Sequence, residues 1–234
     1  MTSFSLKLLA LITMIIDHIG SVFFPDIFLF RFIGRLAFPI YAFLISQGLK
    51  HTHNIKKYLK NLFILAFISE IIYDLCFYNK INIFYNMNTV YTLFIASFSI
   101  YLYNKNNICK FIYLFLGIIF SYLFNTDYSF LGVILIYIFY FENNKIKMLI
   151  SCLCWATIKY FYSLYIIIDS LIKNIYLKQS YTIYWGGLYL FTLLSFFIIM
   201  FYNGKKGKNL KYTFYSLYPL HLILIYIVKC WLYK

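Results

Sequence analysis

Seven ionisable side chains, Asp17, His18, Arg31, Arg35, Glu70, Asp74 and His221, fall inside stretches that are otherwise apolar. A charge in hydrocarbon costs roughly 3 kcal/mol or more, so such groups turn toward a bundle interior and mark candidate sites. Two kinds of chemistry are open to this set. The imidazoles of His18 and His221 titrate near neutral pH and suit proton transfer, while an arginine can stabilise negative charge that develops on a carbonyl.

Spacing adds a second constraint. Arg31 with Arg35, and Glu70 with Asp74, are each i, i+4 pairs on one helix face. One reading is a salt-bridge clamp between the second and third helices that neutralises four costly charges. The other leaves one arginine free to polarise a carbonyl or hold an anionic group. Asp17 and His18 are neighbours, so on a helix they diverge by about 100° and are not expected to bond to each other. The expected partner of His18 is Glu70 or Asp74, and that of Asp17 is an arginine. His221 follows Pro219 near mid-depth of the last helix, and Asn88 with Thr92 opens the fourth. Cys76, Cys109, Cys152, Cys154 and Cys230 lack metal-ligand spacing and read as apolar filler, so no metal site is expected.

The elements that must position these groups are transmembrane helices. Hydrophobic residues make up 63% of the 234-residue chain and charged residues only 12%, with a mean hydropathy of +0.78. These values exclude an ordinary soluble domain and predict an all-α, polytopic transmembrane bundle as a single domain over 1–234. The expected spans are about nine, within a range of eight to ten, at 5–24, 28–48, 59–78, 87–103, 111–124, 128–141, 148–168, 186–202 and 211–231. The fifth and sixth are short enough to be a broken pair. Residues 169–185, with Ile172, Ile175, Tyr176 and Tyr181, fit either a loop or an interfacial amphipathic helix. The first segment carries Asp17 and His18, is long, and has no small-residue cleavage site after it, so it is expected to be retained rather than removed as a signal peptide.

A net charge of +14 raises the question of nucleic acid, but its distribution answers against it. With the expected spans, 13 lysines fall on one side: Lys7, Lys50, Lys56, Lys57, Lys60, Lys105, Lys110, Lys145, Lys147, Lys205, Lys206, Lys208 and Lys211. The other side carries five, and Arg31, Arg35 and Lys159 lie within spans. The positive-inside rule then predicts a cytoplasmic N-terminus and a multi-pass protein of the cytoplasmic membrane. At a rise of about 1.5 Å per residue, the polar groups converge in the outer half of the bundle, with Asp127 and Tyr128 at its external rim.

Taken in order, Met14-Ile15-Ile16-Asp17-His18-Ile19-Gly20, Arg31, Gly34-Arg35-Leu36-Ala37-Phe38-Pro39-Ile40, Ser69-Glu70 with Asp74, Asn88 with Thr92-Leu93, Asp127-Tyr128 with Gly132, and Asn209-Leu210-Lys211-Tyr212 through Tyr215 to Tyr218-Pro219-Leu220-His221-Leu222 resemble the TraX family of membrane acetylases. The chain departs from that pattern at Gln47, which stands where an acidic residue is expected before Gly48, and at Ser129, where glycine is frequent. The family is named for a conjugative-plasmid protein that N-acetylates pilin, and is similar to multi-span acyltransferases that use acetyl-CoA. The resemblance implies acetyl transfer from acetyl-CoA to an amine or hydroxyl of an envelope acceptor, whether pilin, glycan or lipid. On that reading His18 is the base or acetyl carrier, and an arginine or Asn88 holds the oxyanion. Asp17, Arg31, Arg35, Glu70, Asp74 and His221 complete the catalytic set, while Lys205, Lys208, Lys211, Tyr212 and Tyr215, with Lys206, meet the donor. Two other readings use the same residues: a transporter or channel with a buried substrate or proton path, and a non-catalytic membrane chaperone.

Overall fold

The computed structural model describes residues 1–82, 86–106, 108–172, 179–208 and 211–232, without the side chains of residues 171, 172, 179, 211 and 212. Among the described residues, ten helical segments follow one another: α1 (Ser3–Phe23), α2 (Phe28–Gly34), α3 (Ala37–His51), α4 (Ile55–Tyr78), α5 (Thr89–Lys105), α6 (Lys110–Leu123), α7 (Ser129–Phe141), α8 (Lys145–Ile172), α9 (Gln179–Met200) and α10 (Lys211–Leu232). No strand occurs among the described residues. Because α2 and α3 are two halves of one apolar unit, Phe28–His51, the described residues form nine helical units. Among the described residues, six units are long and apolar enough to cross a membrane: Ser3–Phe23, Phe28–His51, Ile55–Tyr78, Lys145–Ser170, Ser180–Met200 and Thr213–Leu232. The all-α polytopic bundle read from composition is what the chain forms.

The break between α2 and α3 has a local cause. Pro39 has no backbone N–H, and its ring would clash with the carbonyl four residues earlier, that of Arg35. A continuous helix is therefore interrupted at Arg35 and Leu36, whose N–H groups bond three residues back, to Phe32 (3.1 Å) and Ile33 (3.1 Å), as in a 3₁₀ turn. Pro39 itself sits in the first turn of α3, where its missing donor costs nothing. The unbroken span expected at 28–48 is thus corrected to a kinked one, and the kink falls at Arg35.

Successive passes alternate in direction, and contacts at their ends fix two faces. On one face, Ser3 and Phe4 donate backbone bonds to Lys205 and Lys206, Lys50 Nζ reaches Asn143 Oδ1 (3.0 Å), and Lys145 Nζ reaches the Tyr202 carbonyl (3.3 Å). On the opposite face, Asp127 N–H bonds the Met87 carbonyl and Lys229 Nζ donates to the Cys76 carbonyl and Asn79 Oδ1. The lysine-rich connectors gather on the first face, in keeping with the sorting read from the sequence. The core is a continuous apolar cluster centred on α3, α5 and α7. A girdle of exposed apolar side chains surrounds it, including Phe67, Phe115, Phe161 and Leu194.

Two boundaries differ from the sequence reading. Residues 169–172 continue α8 and residues 179–185 begin α9, so the segment expected as a loop or interfacial helix is largely absorbed into two long spans; Ile175 and Tyr176 lie outside the described residues. The short α6 and α7 are not two halves of one pass but an antiparallel hairpin. It is joined through Asn125, in the left-handed region at φ 45°.

Candidate active site

A cavity of about 1030 Å³ runs along the bundle between α1, α3, α4 and α10. At the lysine-rich end its wall includes Lys7, His51, His53, Tyr58, Lys206 and Lys208; farther along it includes Tyr41 and Tyr218; toward the other end it includes His18, Asp17, Arg31, Arg35, Asp127 and Tyr128. The polar side chains enter because α1, α2 and α3 approach closely where glycines permit. A Cβ at Gly20 would fall 2.1 Å from Phe30 Cβ, and one at Gly34 would fall 2.2 Å from Asp17 Oδ1. Gly34 thus gives Asp17 the room to turn toward the arginines.

Arg31 Nη1 donates to Asp17 Oδ1 (2.9 Å) and to Ser21 Oγ (2.6 Å). Ser21 in turn donates to the Asp17 carbonyl one turn earlier (2.7 Å), so the guanidinium is held by groups on a single helix. Arg35 projects from the break between α2 and α3. Its Nη1 donates to the Tyr128 hydroxyl (3.3 Å), and its Nε is buried with no acceptor. Tyr128 stacks on Phe38, with ring centroids 3.6 Å apart and planes 9° from parallel.

His18 pairs with His221 across 203 residues of chain: Nδ1 of His18 lies 2.8 Å from Nε2 of His221. The rings are within 14° of parallel with centroids 5.1 Å apart. Combined with the short N···N distance, this is an in-plane hydrogen bond rather than face-to-face stacking. Direction follows from the far end, where His221 Nδ1 lies 3.0 Å from the Leu217 carbonyl, which can only accept. With both rings neutral, His221 therefore carries its proton on Nδ1, accepts at Nε2, and receives the Nδ1 proton of His18. The lone pair left over is on Nε2 of His18, the member of the pair that lines the cavity. Phe77 and Tyr218 pack edge-on against the two rings and fix their planes.

A family model described as TraX protein matches residues 3–229. The chain belongs to the TraX family. Among curated proteins, it is 26% identical over 251 residues to a probable fimbrial assembly protein, FimC of serogroup H1, from Dichelobacter nodosus, covering 99% of this chain and 97% of that one. A shorter match, 44% identical over 43 residues, is to an uncharacterized protein of Rickettsia prowazekii (strain Madrid E) and covers 18% of this chain and 17% of that one. No solved structure matches.

Within this TraX family chain, the residues expected to form one site separate into two groups. Asp17, His18, Arg31 and Arg35 come together at the cavity with His221 directly behind His18. The pairing of Asp17 with an arginine is present, and Asp17 and His18 indeed point to different partners. The salt-bridge clamp is not: neither arginine meets Glu70 or Asp74, and His18 takes His221 instead of a carboxylate. Glu70 Oε2 instead accepts the backbone N–H of Asn88 (2.8 Å), and Asp74 Oδ2 accepts that of Asn82 (2.7 Å). Asn88 caps α5 through Oδ1 to Val90 N–H (2.8 Å) and donates Nδ2 to the Ala66 carbonyl (3.0 Å), so its amide is committed to the backbone. These three residues lie outside the cavity wall and tie the connector before α5 onto α4. The physical reason is that the N–H groups of a connector buried beside a helix must be accepted, and an i, i+4 carboxylate pair accepts two of them.

At the lysine-rich end, Lys208 and Tyr215 line the cavity, as does Lys206, whereas Lys205 does not. The side chains of Lys211 and Tyr212 lie outside the described residues. The sequence reading assigned no role to Tyr41 or Tyr58 and met Tyr218 only within the Tyr218-Pro219-Leu220-His221-Leu222 run, yet all three line the cavity. It also left Lys159 unassigned, although an intramembrane lysine is itself a signal.

Proposed function

We propose that this chain is a membrane acetyltransferase that moves an acetyl group from acetyl-CoA to an amine or hydroxyl of an envelope acceptor. The observation that carries the reading is the directed His18–His221 pair, which presents a ring-nitrogen lone pair at the wall of a long cavity. Family membership supports it, and the fimbrial assembly name of the Dichelobacter relative makes a pilus subunit a reasonable acceptor class.

The residues present fit such a donor. Lys206 and Lys208 at the lysine-rich mouth offer ammonium groups to phosphates, and the cavity is long enough to take a pantetheine-like arm. The donor supplies a thioester carbonyl as electrophile. Nε2 of His18 would remove the proton from the acceptor amine or hydroxyl as the new C–N or C–O bond forms, and would return it to the sulfur as the C–S bond breaks, so that CoA leaves as its thiol and His18 is neutral again. The imidazolium charge on His18 is eased because its Nδ1–H donates to the His221 lone pair, while His221 is anchored by the Leu217 carbonyl. Arg31, held rigidly at Nη1 by Asp17 and Ser21, offers its remaining N–H groups to the oxygen that gains negative charge. Asn88 is already committed to the backbone and takes no part in this scheme.

The decisive experiment is acetyl transfer from radiolabelled acetyl-CoA by the purified chain in nanodiscs, with mass spectrometry of envelope proteins, glycans and lipids from cells with and without it. One added acetyl group on an acceptor supports the reading, and its absence in every fraction overturns it. A transport reading is favoured by one observation, the extension of the cavity along the bundle. Solute or proton flux in reconstituted vesicles without CoA release would select it.

A further inference from the structure

Two basic side chains beside Tyr128, Arg35 on the cavity wall and Lys159 behind the ring, are left without work by this scheme. Arg35 has a buried Nε with no acceptor and a single hydrogen bond from Nη1 to the Tyr128 hydroxyl. Lys159, from α8, sets its ammonium 4.1 Å from the centre of the same Tyr128 ring and 5.1 and 5.6 Å from those of Trp155 and Tyr160. Aromatic faces attract an ammonium but accept none of its three protons in the manner of an oxygen. Among the described residues, neither cation forms an ion pair. The nearby carboxylates are engaged elsewhere: Asp17 holds Arg31, and Asp127 Oδ2 accepts from Thr89 Oγ1 (2.6 Å). Two basic groups thus bracket one phenol, with Asp17 and Asp127 close enough to act on them electrostatically but with no direct ion pair to either among the described residues.

We infer that Arg35, Tyr128 and Lys159 form a receptor for an anionic oxygen group, a carboxylate or a phosphate, carried by the acceptor beside its reacting amine or hydroxyl. Arg35 and Tyr128 line the cavity. The guanidinium offers a planar set of donors matched to either oxyanion. The Tyr128 hydroxyl accepts from Arg35, so its own proton remains for the ligand. Lys159 supplies the second charge through the face of that ring. Arg31 is a poorer receptor because Asp17 already balances it. The identity of the anion's bearer as an acceptor rests on the acetyl-transfer reading, but the receptor does not.

The first test is therefore one of binding. Trp155 lies beside Lys159, so in a W185F/W231F background its emission reports on the site. Titration of that protein in zwitterionic nanodiscs with inorganic phosphate and with acetate, at ionic strength fixed with chloride, is expected to give a saturable change. K159M and R35Q are each expected to weaken it about tenfold or more, as loss of a charge-assisted contact implies. K159M exchanges a buried cation for an apolar chain of similar length and keeps the test available where R35Q does not fold. A response no different from chloride, or one unchanged in K159M and in whichever R35Q protein folds, overturns the receptor. The second arm compares phosphoethanolamine, glycine and ethanolamine as acetyl acceptors. A lower KM for either anionic amine than for ethanolamine supports the inference and says which oxyanion is preferred; equal values for all three overturn it as an acceptor site. Anion binding without transfer to any acceptor sinks the acetyltransferase reading alone, and transfer without anion binding sinks this receptor alone.

Discussion

Arg31 with Arg35 and Glu70 with Asp74 look equivalent as sequence: two like-charged pairs, each one turn apart, each inside an apolar span. In the folded chain they do opposite things. Each carboxylate gives one oxygen to a backbone N–H, that of Asn82 or Asn88, and so holds a connector in place, while its second oxygen is buried without a hydrogen-bond partner among the described residues. The arginines stand at a cavity, one balanced by Asp17 and one not. The difference teaches that an intramembrane charge marks a candidate site when it faces a cavity, and marks local architecture when it is sealed against a connector's backbone.

The largest expected effect tests the cavity side. His18→Ala removes the proposed base and should lower acetyl transfer by about 10²–10⁴-fold while the protein still inserts and elutes as a folded species; wild-type turnover in that variant would end the assignment. His221→Gln keeps a polar group behind His18 but changes its acid–base character. It should reduce kcat by about ten- to a hundredfold, with a displaced pH profile and little change in KM, because the base is misaligned rather than absent. An unaltered pH profile would show His221 to be packing alone.

Gly34→Ala sharpens the comparison from the side of the backbone. The new methyl would sit on Asp17, so the Asp17–Arg31 pair must move, and a cost of about 1–3 kcal/mol is expected from overpacking. Thermal unfolding in detergent should register that loss, together with reduced transfer. Retention of both would mean that α1 and α2 part without consequence. The smallest effect belongs to the connector side. Glu70→Gln keeps an oxygen to accept the Asn88 N–H and should leave transfer within about twofold, whereas Glu70→Ala should cost on the order of 1.5–3 kcal/mol. A loss of turnover in Glu70→Gln comparable to that of His18→Ala would erase the distinction between the two pairs.

Much of this was legible in the residues. Composition and apolar run lengths are enough for an all-α bundle with nine helical units among the described residues, six of them long enough to span, since a span needs little beyond hydrophobicity. The lysine sorting likewise agrees with the two faces. The kink at Arg35 was not anticipated in the unbroken span 28–48, although Pro39 signals it, because the proline ring clashes with the carbonyl four residues earlier. Partner choice was not readable. Helical periodicity says which side chains share a face but not which neighbour that face meets, so the clamp and the true pairs fit the pattern equally well. The roles of Glu70 and Asp74 depend on N–H groups of a connector, which every residue but proline possesses and no sequence pattern displays.

The bond from His221 Nδ1 to the Leu217 carbonyl has one more implication. The group that orients the whole imidazole pair belongs to the peptide unit and not to any side chain. Replacing Leu217 by another amino acid leaves that oxygen in place, so a mutational scan would pass over it in silence. Only exchanging the amide between 217 and 218 for an ester, which weakens the carbonyl as an acceptor, would reveal how strongly the polarity of the pair depends on it.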